Sequence, residues 1–438
     1  MRNREWSSVG NAAVLIDGCR IPFARSNGDY GDALAYDLAR TVIKGLLNRN
    51  DFDAASIDRI ILGTVIQNVQ TSNVAREASL AAGVPASVPA NTVTMACISA
   101  NLAAAGAMDL IRCGRAQTVI AGGTESLSDV PVGLSKQLRD RLLRARKAGG
   151  PLAYLGLLKG LRPRDLLPRA PAIAEFSTGR TMGESADRLA AMFGITRELQ
   201  DEYALRSHRL AANATREEKL SCEVVPAAYP PGFKPLAIDN TIREDSSLEK
   251  LAGLEPAFVK PFGTVTAGNS SPLTDGASAV LVMAEERARA NGHVPRATLR
   301  DYVFVAQEPG DELLLGPAYA VPELLTRAGL QLDDIDVIEL HEAFAGQLLA
   351  VVAALDSDAF ARERLGRLSK VGAVDMDKVN LWGGSLSLGH PFGATGTRLL
   401  TTAANRLHDE DGQLALVSAC AAGGMGVAML LERYRGEV

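Results

Sequence analysis

Apolar positions along the chain follow two periods in alternation. Short branched runs of strand length lie in AASIDRIILGTVI (54–66) and LDDIDVIELHEAF (332–344), each entered through Ile-Asp. Two longer stretches repeat one course of strand, turn, small-residue helix, strand and glycine turn. They are VPANTVTMACISANLAAAGAMDLIRCGRAQTVIAGG (88–123) and VNLWGGSLSLGHPFGATGTRLLTTAANRLHDEDGQLALVSACAAGG (379–424). Strand-length apolar runs alternating with helical spacing predict an α/β fold with mostly buried sheets. The repetition predicts that the unit occurs twice, with matching helices opening near Cys97 and near His390. Chemistry in such folds gathers where strands pass to helix N-termini.

From about residue 128 to 264 the pattern changes to Pro-rich, charged sequence. Three units follow as an expectation: a first half (1–128 with 265–292), an inserted loop domain covering the active face (129–264) and a second half (293–438). Within the insert, TMGESADRLAAMFGITRELQDEYALRSHRLAANAT predicts two helices, the second opened by Thr196 as N-cap. Before them, residues 135–169 carry ten Lys or Arg against two Asp. Leu134, Leu138, Leu142 and Ala145 recur there at helical spacing. Such a helix suits a membrane surface or partner subunit, a basic rim for an anionic ligand, or a solvated face packed on its own domain.

Composition narrows the class. The chain has 438 residues, 47% hydrophobic and 22% charged, as expected of an ordinary globular protein with sizeable cores. A net charge of -5 gives no footprint for nucleic acid. Five cysteines without CxxC spacing point to reduced thiols. With a polar N-terminus that reads as no signal peptide, a cytoplasmic setting is expected, with peripheral membrane association through the basic insert left open. Leu414–Leu431 carries no charge over a span-like length, but its glycines and alanines read as two buried strands around a glycine turn.

Histidine is scarce, with five in the chain. His208, His293 and His408 read as surface residues, whereas His341 in IELHEAFAGQ ends a strand and His390 lies in the glycine-dense GGSLSLGHPFGATGTR. Cys97 sits where an extended run meets a helix, where orphan N–H groups and the helix dipole ease thiol ionisation. A packed core cysteine is the alternative. Cys420, in LVSACAAGGMG, follows a buried strand. A Cys2His2 zinc site would need short ligand spacings, which these four residues lack, so no metal is expected. A histidine-activated thiolate with a second thiol to move a proton fits all four.

These motifs resemble those of the thiolase family: the CISAN-type turn at Cys97, the GHP turn and the C-terminal cysteine–glycine turn, over roughly residues 10–435. Within the family, EFSTGRTMGESADRLAA, QDEYALRSH, KPFGTVTAGNSSPLTDGASA, LLLGPAYA, HEAF and GGSLSLGHPFGATG are most similar to trifunctional-enzyme β-subunits and their bacterial long-chain counterparts. The resemblance implies a duplicated layered αβαβα fold with a loop domain. It also implies thiolytic cleavage of 3-ketoacyl-CoA in fatty acid β-oxidation. Cys97 would carry the acyl group, His390 would activate it and Cys420 would shuttle the α-proton. His341, where many thiolases have Asn, would hold a water in the thioester oxyanion hole with His390. The N–H groups of Cys97 and Ala422 would form a second hole, although many thiolases have Gly at the latter place. Met182, Phe344 and Ser271 would line the acyl-pantetheine path.

CoA enters as substrate, and no tightly bound cofactor is implied. The implied partners are a second copy, as homodimer or dimer of dimers, and a hydratase/dehydrogenase α-subunit. A ketosynthase would normally use two histidines without a second catalytic cysteine, so Cys420 argues against it. Condensation of two acetyl-CoA shares every catalytic residue and remains an alternative. A non-catalytic acyl-CoA-binding scaffold is another, although no reactive residue is missing.

Overall fold

The computed structural model describes residues 12–148, 160–168 and 174–436. Among the described residues ten strands follow in chain order: β1 (Ala13–Arg20), β2 (Ala24–Arg25), β3 (Arg59–Gly63), β4 (Ala90–Val93), β5 (Thr118–Glu125), β6 (Thr274–Ala284), β7 (Ala297–Ala306), β8 (Val337–Leu340), β9 (Leu414–Ala421) and β10 (Met425–Arg433). They order as β4-β3-β5-β6-β1-β7-β10-β9-β8, with β2 on β6. A seam divides this series, since β1 and β7 share only the pairs Val14–Thr298 and Leu15–Ala297. Outward from the seam the two sides mirror each other. β1-β6-β5-β3-β4 faces β7-β10-β9-β8, and beyond β8 Val379 bridges Ile338 where the first half has β4. The β3 pairings and β8–β9 are parallel, and the other ladders are antiparallel.

Alternation along the strands sorts side chains into layers. Leu15, Ile61, Val280 and Val282 of the first half, and Val417, Val427 and Met429 of the second, enclose one apolar cluster with helices Ser99–Arg112 and Thr395–Asp409. Their neighbours point the other way. Val14, Ile60, Leu281 and Met283 meet helices Ala35–Arg49 and Val74–Ala81. Leu416, Ala428 and Leu430 meet helices Gly316–Ala328 and Ala345–Leu355. The result is the expected αβαβα layering. A helix sandwiched on both faces needs small side chains, and Ala100, Ala103, Ala104 and Ala107 supply them. Closest approach falls at Gly396, where a Cβ would stand 2.2 Å from the Asn101 side-chain oxygen.

The stretch Leu414–Leu431 forms β9, a turn and the start of β10, as expected. No helix among the described residues is long and apolar enough to cross a membrane. Both insert helices form, Met182–Met192 behind a Thr181–Glu184 capping box and Arg197–Arg216 behind Thr196. They do not build a core of their own. Ala186, Leu189, Tyr203 and Ala204 join the second half's outer cluster, because their apolar stripe needs a partner and takes the neighbouring helices. The basic segment forms helix Lys136–Ala148, in which Ala145 is buried, Leu138 and Leu142 are half-buried, and Leu134 just ahead is exposed. The remainder of 135–169 lies partly outside the described residues.

Candidate active site

Cys97 stands in a turn of unusual backbone. Ala96 holds φ at +47°, a left-handed value that costs a non-glycine residue roughly 1 kcal/mol. The turn is tied by Ser99, whose hydroxyl accepts from Met95 N–H at 2.8 Å and donates to Ala96 O at 2.6 Å. The helix starts at Ser99, so Cys97 is presented just ahead of it. Ionisation is not eased at rest, contrary to the expectation. Burial pushes the Cys97 thiol up to about 12, and the Glu125 carboxylate adds to the rise. A hydrogen bond from Ala422 N–H to the sulfur pulls the other way without overcoming it. Desolvation outweighs the helix terminus here.

Cys420 lies buried in β9 opposite Gly426 of β10. Burial pushes its thiol far up, and the nearby Cys97 raises it further. Ala422 is not among the residues at positive φ, so alanine is unstrained where a glycine was the expected residue. Its turn is held from the insert, since Glu175 accepts the Gly423 N–H at 2.7 Å.

The two strand-end histidines meet ring against ring, with centroids 4.1 Å apart and planes tilted by 48°. His341 follows β8, its N–H bonded to Ser418 O of β9 at 2.9 Å, and its Nδ1 lies 2.9 Å from Ser385 Oγ. His390 Nδ1 lies 2.6 Å from Thr395 Oγ1. Both Nε2 atoms are buried without a partner among the described residues, which is how groups awaiting a ligand oxygen or sulfur stand. Burial, then the Arg398 charge, lowers His390 to about 3. Burial, His390 and Arg398 in that order hold His341 well below the usual range. Both rings are therefore neutral at physiological pH.

Backbone ladders lace these motifs together. Segment 269–273 bridges Phe344 through Ser270 and His390 through Leu273, while Ser271 N–H donates to Ala343 O at 3.0 Å. Phe344 meets Phe258 edge-on at 6.0 Å, and Phe258 covers Gly183, the neighbour of Met182. Cys97 thus lies with Ala422 and Cys420, His341 lies with His390, and the His341 N–H bond to Ser418 O, two residues before Cys420, ties the two groups together.

Sequence reading missed the groups that hold this arrangement. Glu125, fully buried at the end of β5, accepts Val65, Ile66 and Gly393 N–H at 3.1, 2.8 and 2.8 Å, so it clamps the GHP turn onto the first half. The fit is tight, for a Cβ on Gly393 would stand 2.7 Å from Thr124 O. Burial raises Glu125 to about 7. Glu342 accepts from Tyr203, Ser207, Asn380 and Leu386 N–H, bolting the insert to the second half. An acid inside an otherwise apolar run is a signal, but its partners come from segments that a sequence keeps far apart. His208, expected at the surface, is buried. Its Nδ1 accepts Arg243 N–H at 3.2 Å, and burial followed by Arg243 lowers it to about 4.

His208 also borders a pocket of about 190 Å³ that reaches Ser270 and Leu386 and is lined by Arg25, Arg243 and Lys250. Among the described residues, none of the basic segment 135–169 lines it.

Comparison with known proteins is consistent along the whole chain. Residues 13–286 match the family Thiolase, N-terminal domain, and residues 293–433 match Thiolase, C-terminal domain. The mitochondrial trifunctional enzyme subunit beta of Bos taurus is 55% identical over 421 residues, covering 96% of this chain and 88% of that protein. A probable 3-ketoacyl-CoA thiolase of Caenorhabditis elegans is 54% identical over 423 residues, covering 96% of this chain and 94% of that one. Among solved structures, human mitochondrial 3-ketoacyl-CoA thiolase in complex with CoA matches with a TM-score of 0.82 at 29% identity. That match covers 97% of this chain and 98% of the other.

Proposed function

The chain belongs to the thiolase family, and on that premise we propose that it cleaves 3-ketoacyl-CoA with CoA, yielding acetyl-CoA and an acyl-CoA two carbons shorter. The observation that carries this reading is the pair of adjoining buried imidazoles, each with an Nε2 atom that has no partner among the described residues. The Cys97 thiol is protonated at rest, so its proton passes to His390 Nε2 as sulfur attacks the 3-keto carbon. N–H groups of Cys97 and Ala422 receive the alkoxide. The C2–C3 bond then breaks, and its electron pair becomes the acetyl-CoA enolate, whose oxygen is held by His390 and by a water on His341.

Cys420 gives its proton to C2 and takes one from the incoming CoA thiol. The CoA thiolate attacks the acyl-Cys97 thioester, and the released Cys97 sulfur recovers its proton from His390. Arg25, Arg243 and Lys250 offer the CoA phosphates a cationic seat that opens toward Ser270. The exposed Leu134 and Leu143 beside Arg144 and Arg146 suit a partner subunit, here an α-subunit with hydratase and dehydrogenase activity.

A steady-state series of 3-ketoacyl-CoA lengths with free CoA tests both parts. CoA-dependent acetyl-CoA release is expected, unchanged when Arg144 and Arg146 become Glu, while that variant loses co-elution with the α-subunit. Release from no chain length, or condensation of acetyl-CoA alone, would overturn the thiolytic reading.

A further inference from the structure

We propose that Ser385, backed by Arg398, is the positioning residue that keeps the proton of His341 on Nε2, so that the two adjoining imidazoles hold opposite tautomers. A count of hydrogens in this buried place fixes the tautomer. Arg398 Nη2 lies 3.2 Å from Ser385 Oγ, and a guanidinium only donates, so the serine oxygen accepts there. The single hydroxyl hydrogen of Ser385 is then left for His341 Nδ1 at 2.9 Å. Ser385 is fully buried, so a proton on Nδ1 would strand that hydroxyl hydrogen away from water. Nδ1 therefore accepts, and Nε2 carries the proton.

The neighbouring ring is wired in reverse. Thr395 Oγ1 donates to Pro391 O at 3.1 Å, which turns a lone pair toward His390 Nδ1 at 2.6 Å. His390 thus carries its proton on Nδ1 and shows the site a bare Nε2. A base must present a lone pair, and an oxyanion donor must present a proton. Two identical tautomers would lose one of those functions. Arg398 is itself fixed by Glu339 at 3.4 Å, which also binds Arg406 at 2.8 Å, all three being fully buried. Its charge also disfavours a second proton on either ring.

The tautomers stand on hydrogen-bond geometry alone, while the catalytic consequence rests on the thiolase reading. The test is ¹⁵N NMR of the full-length chain labelled at its five histidines, with steady-state kinetics on the same samples. His341 should show a pyrrole-type Nε2 and a pyridine-type Nδ1, and His390 the reverse. In Ser385→Ala the His341 pattern should move toward the Nδ1–H form. Its kcat should fall about 10²-fold, as for loss of one oxyanion donor, with KM for 3-ketoacyl-CoA changed less than about threefold. A pyrrole-type Nδ1 on His341 in the unaltered protein overturns the proposal, even if Ser385→Ala does not fold. So does a Ser385→Ala enzyme with unchanged shifts or unchanged kcat. If the shifts match but the unaltered enzyme turns over no 3-ketoacyl-CoA, the thiolase reading fails while the tautomer assignment stands.

Discussion

In the first half Asp58 accepts the N–H groups of Gln117 and Thr118 at 2.6 and 3.0 Å, pinning the start of β5 beside β3. In the second half Asp336 does the same for Gln413 and Leu414 at 2.7 and 3.0 Å, pinning β9 beside β8. At the opposite ends of these strands the likeness stops. β3 ends in Gly63 and Thr64, while β8 passes into His341 and Glu342. β5 ends in a buried carboxylate, Glu125, while β9 carries a buried thiol, Cys420. One central helix is preceded by Cys97 and the other by His390. The ends that only start strands have kept one solution, since a buried N–H must be paired the same way in either copy. The ends that leave the ladder are free of that demand, and there the halves have divided the chemistry.

Removing the two thiols tests that division most severely. Cys97→Ala should lower turnover by about 10⁴-fold or more, as loss of a nucleophile does, and mass spectrometry should find no acylated chain. Cys420→Ala should still be acylated at Cys97 by a simple acyl-CoA, while exchange of the acetyl α-proton falls roughly 10²–10⁴-fold. Wild-type exchange in Cys420→Ala would show that the second half supplies no proton shuttle.

The halves should also answer pH with opposite signs. His390 falls from 6.5 to about 3 on folding, so between those values the unfolded chain binds a proton that the folded chain excludes. Stability from this group is whole above pH 6.5 and is lost toward pH 3, at about 1.4 kcal/mol per pH unit. Glu125 rises from 4.5 to about 7, so the folded chain holds the extra proton and stability falls as pH rises through that window. Urea unfolding from pH 5 to 6.5 should therefore show a shallower acid loss for His390→Gln and a steeper one for Glu125→Gln. Parallel curves for both variants would mean that neither group is held as the geometry implies.

The smallest effect concerns what the halves share. Asp58→Ala and Asp336→Ala should each cost about 1–2 kcal/mol in urea unfolding, with kcat unchanged. A loss at one site several times that at the other would break the equivalence of the two frames.

Much of this was legible along the chain. The Ile-Asp entries, the small-residue helices and the glycine turns repeat in order, so the duplication could be read from periodicity, whereas the five layers followed only from the family resemblance. The four reactive residues stood at strand ends for the same reason. What was misread shows the limit. The Cys97 thiol was expected to ionise readily because a helix follows it, and only the burial around it reverses that. His208 looked polar among polar neighbours, yet it packs inward against the Arg243 backbone.

The sequence by itself determined the two copies, their strand and helix order and the residue types brought to the active face, because local period and turn chemistry act over a few neighbours. Only the tertiary structure decided the protonation of those residues. Glu125 reaches from the end of β5 to Gly393, and Arg398 reaches from the central helix to Ser385. Such contacts set charge and tautomer through desolvation and hydrogen-bond partners, which exist only once distant segments share one dry interior.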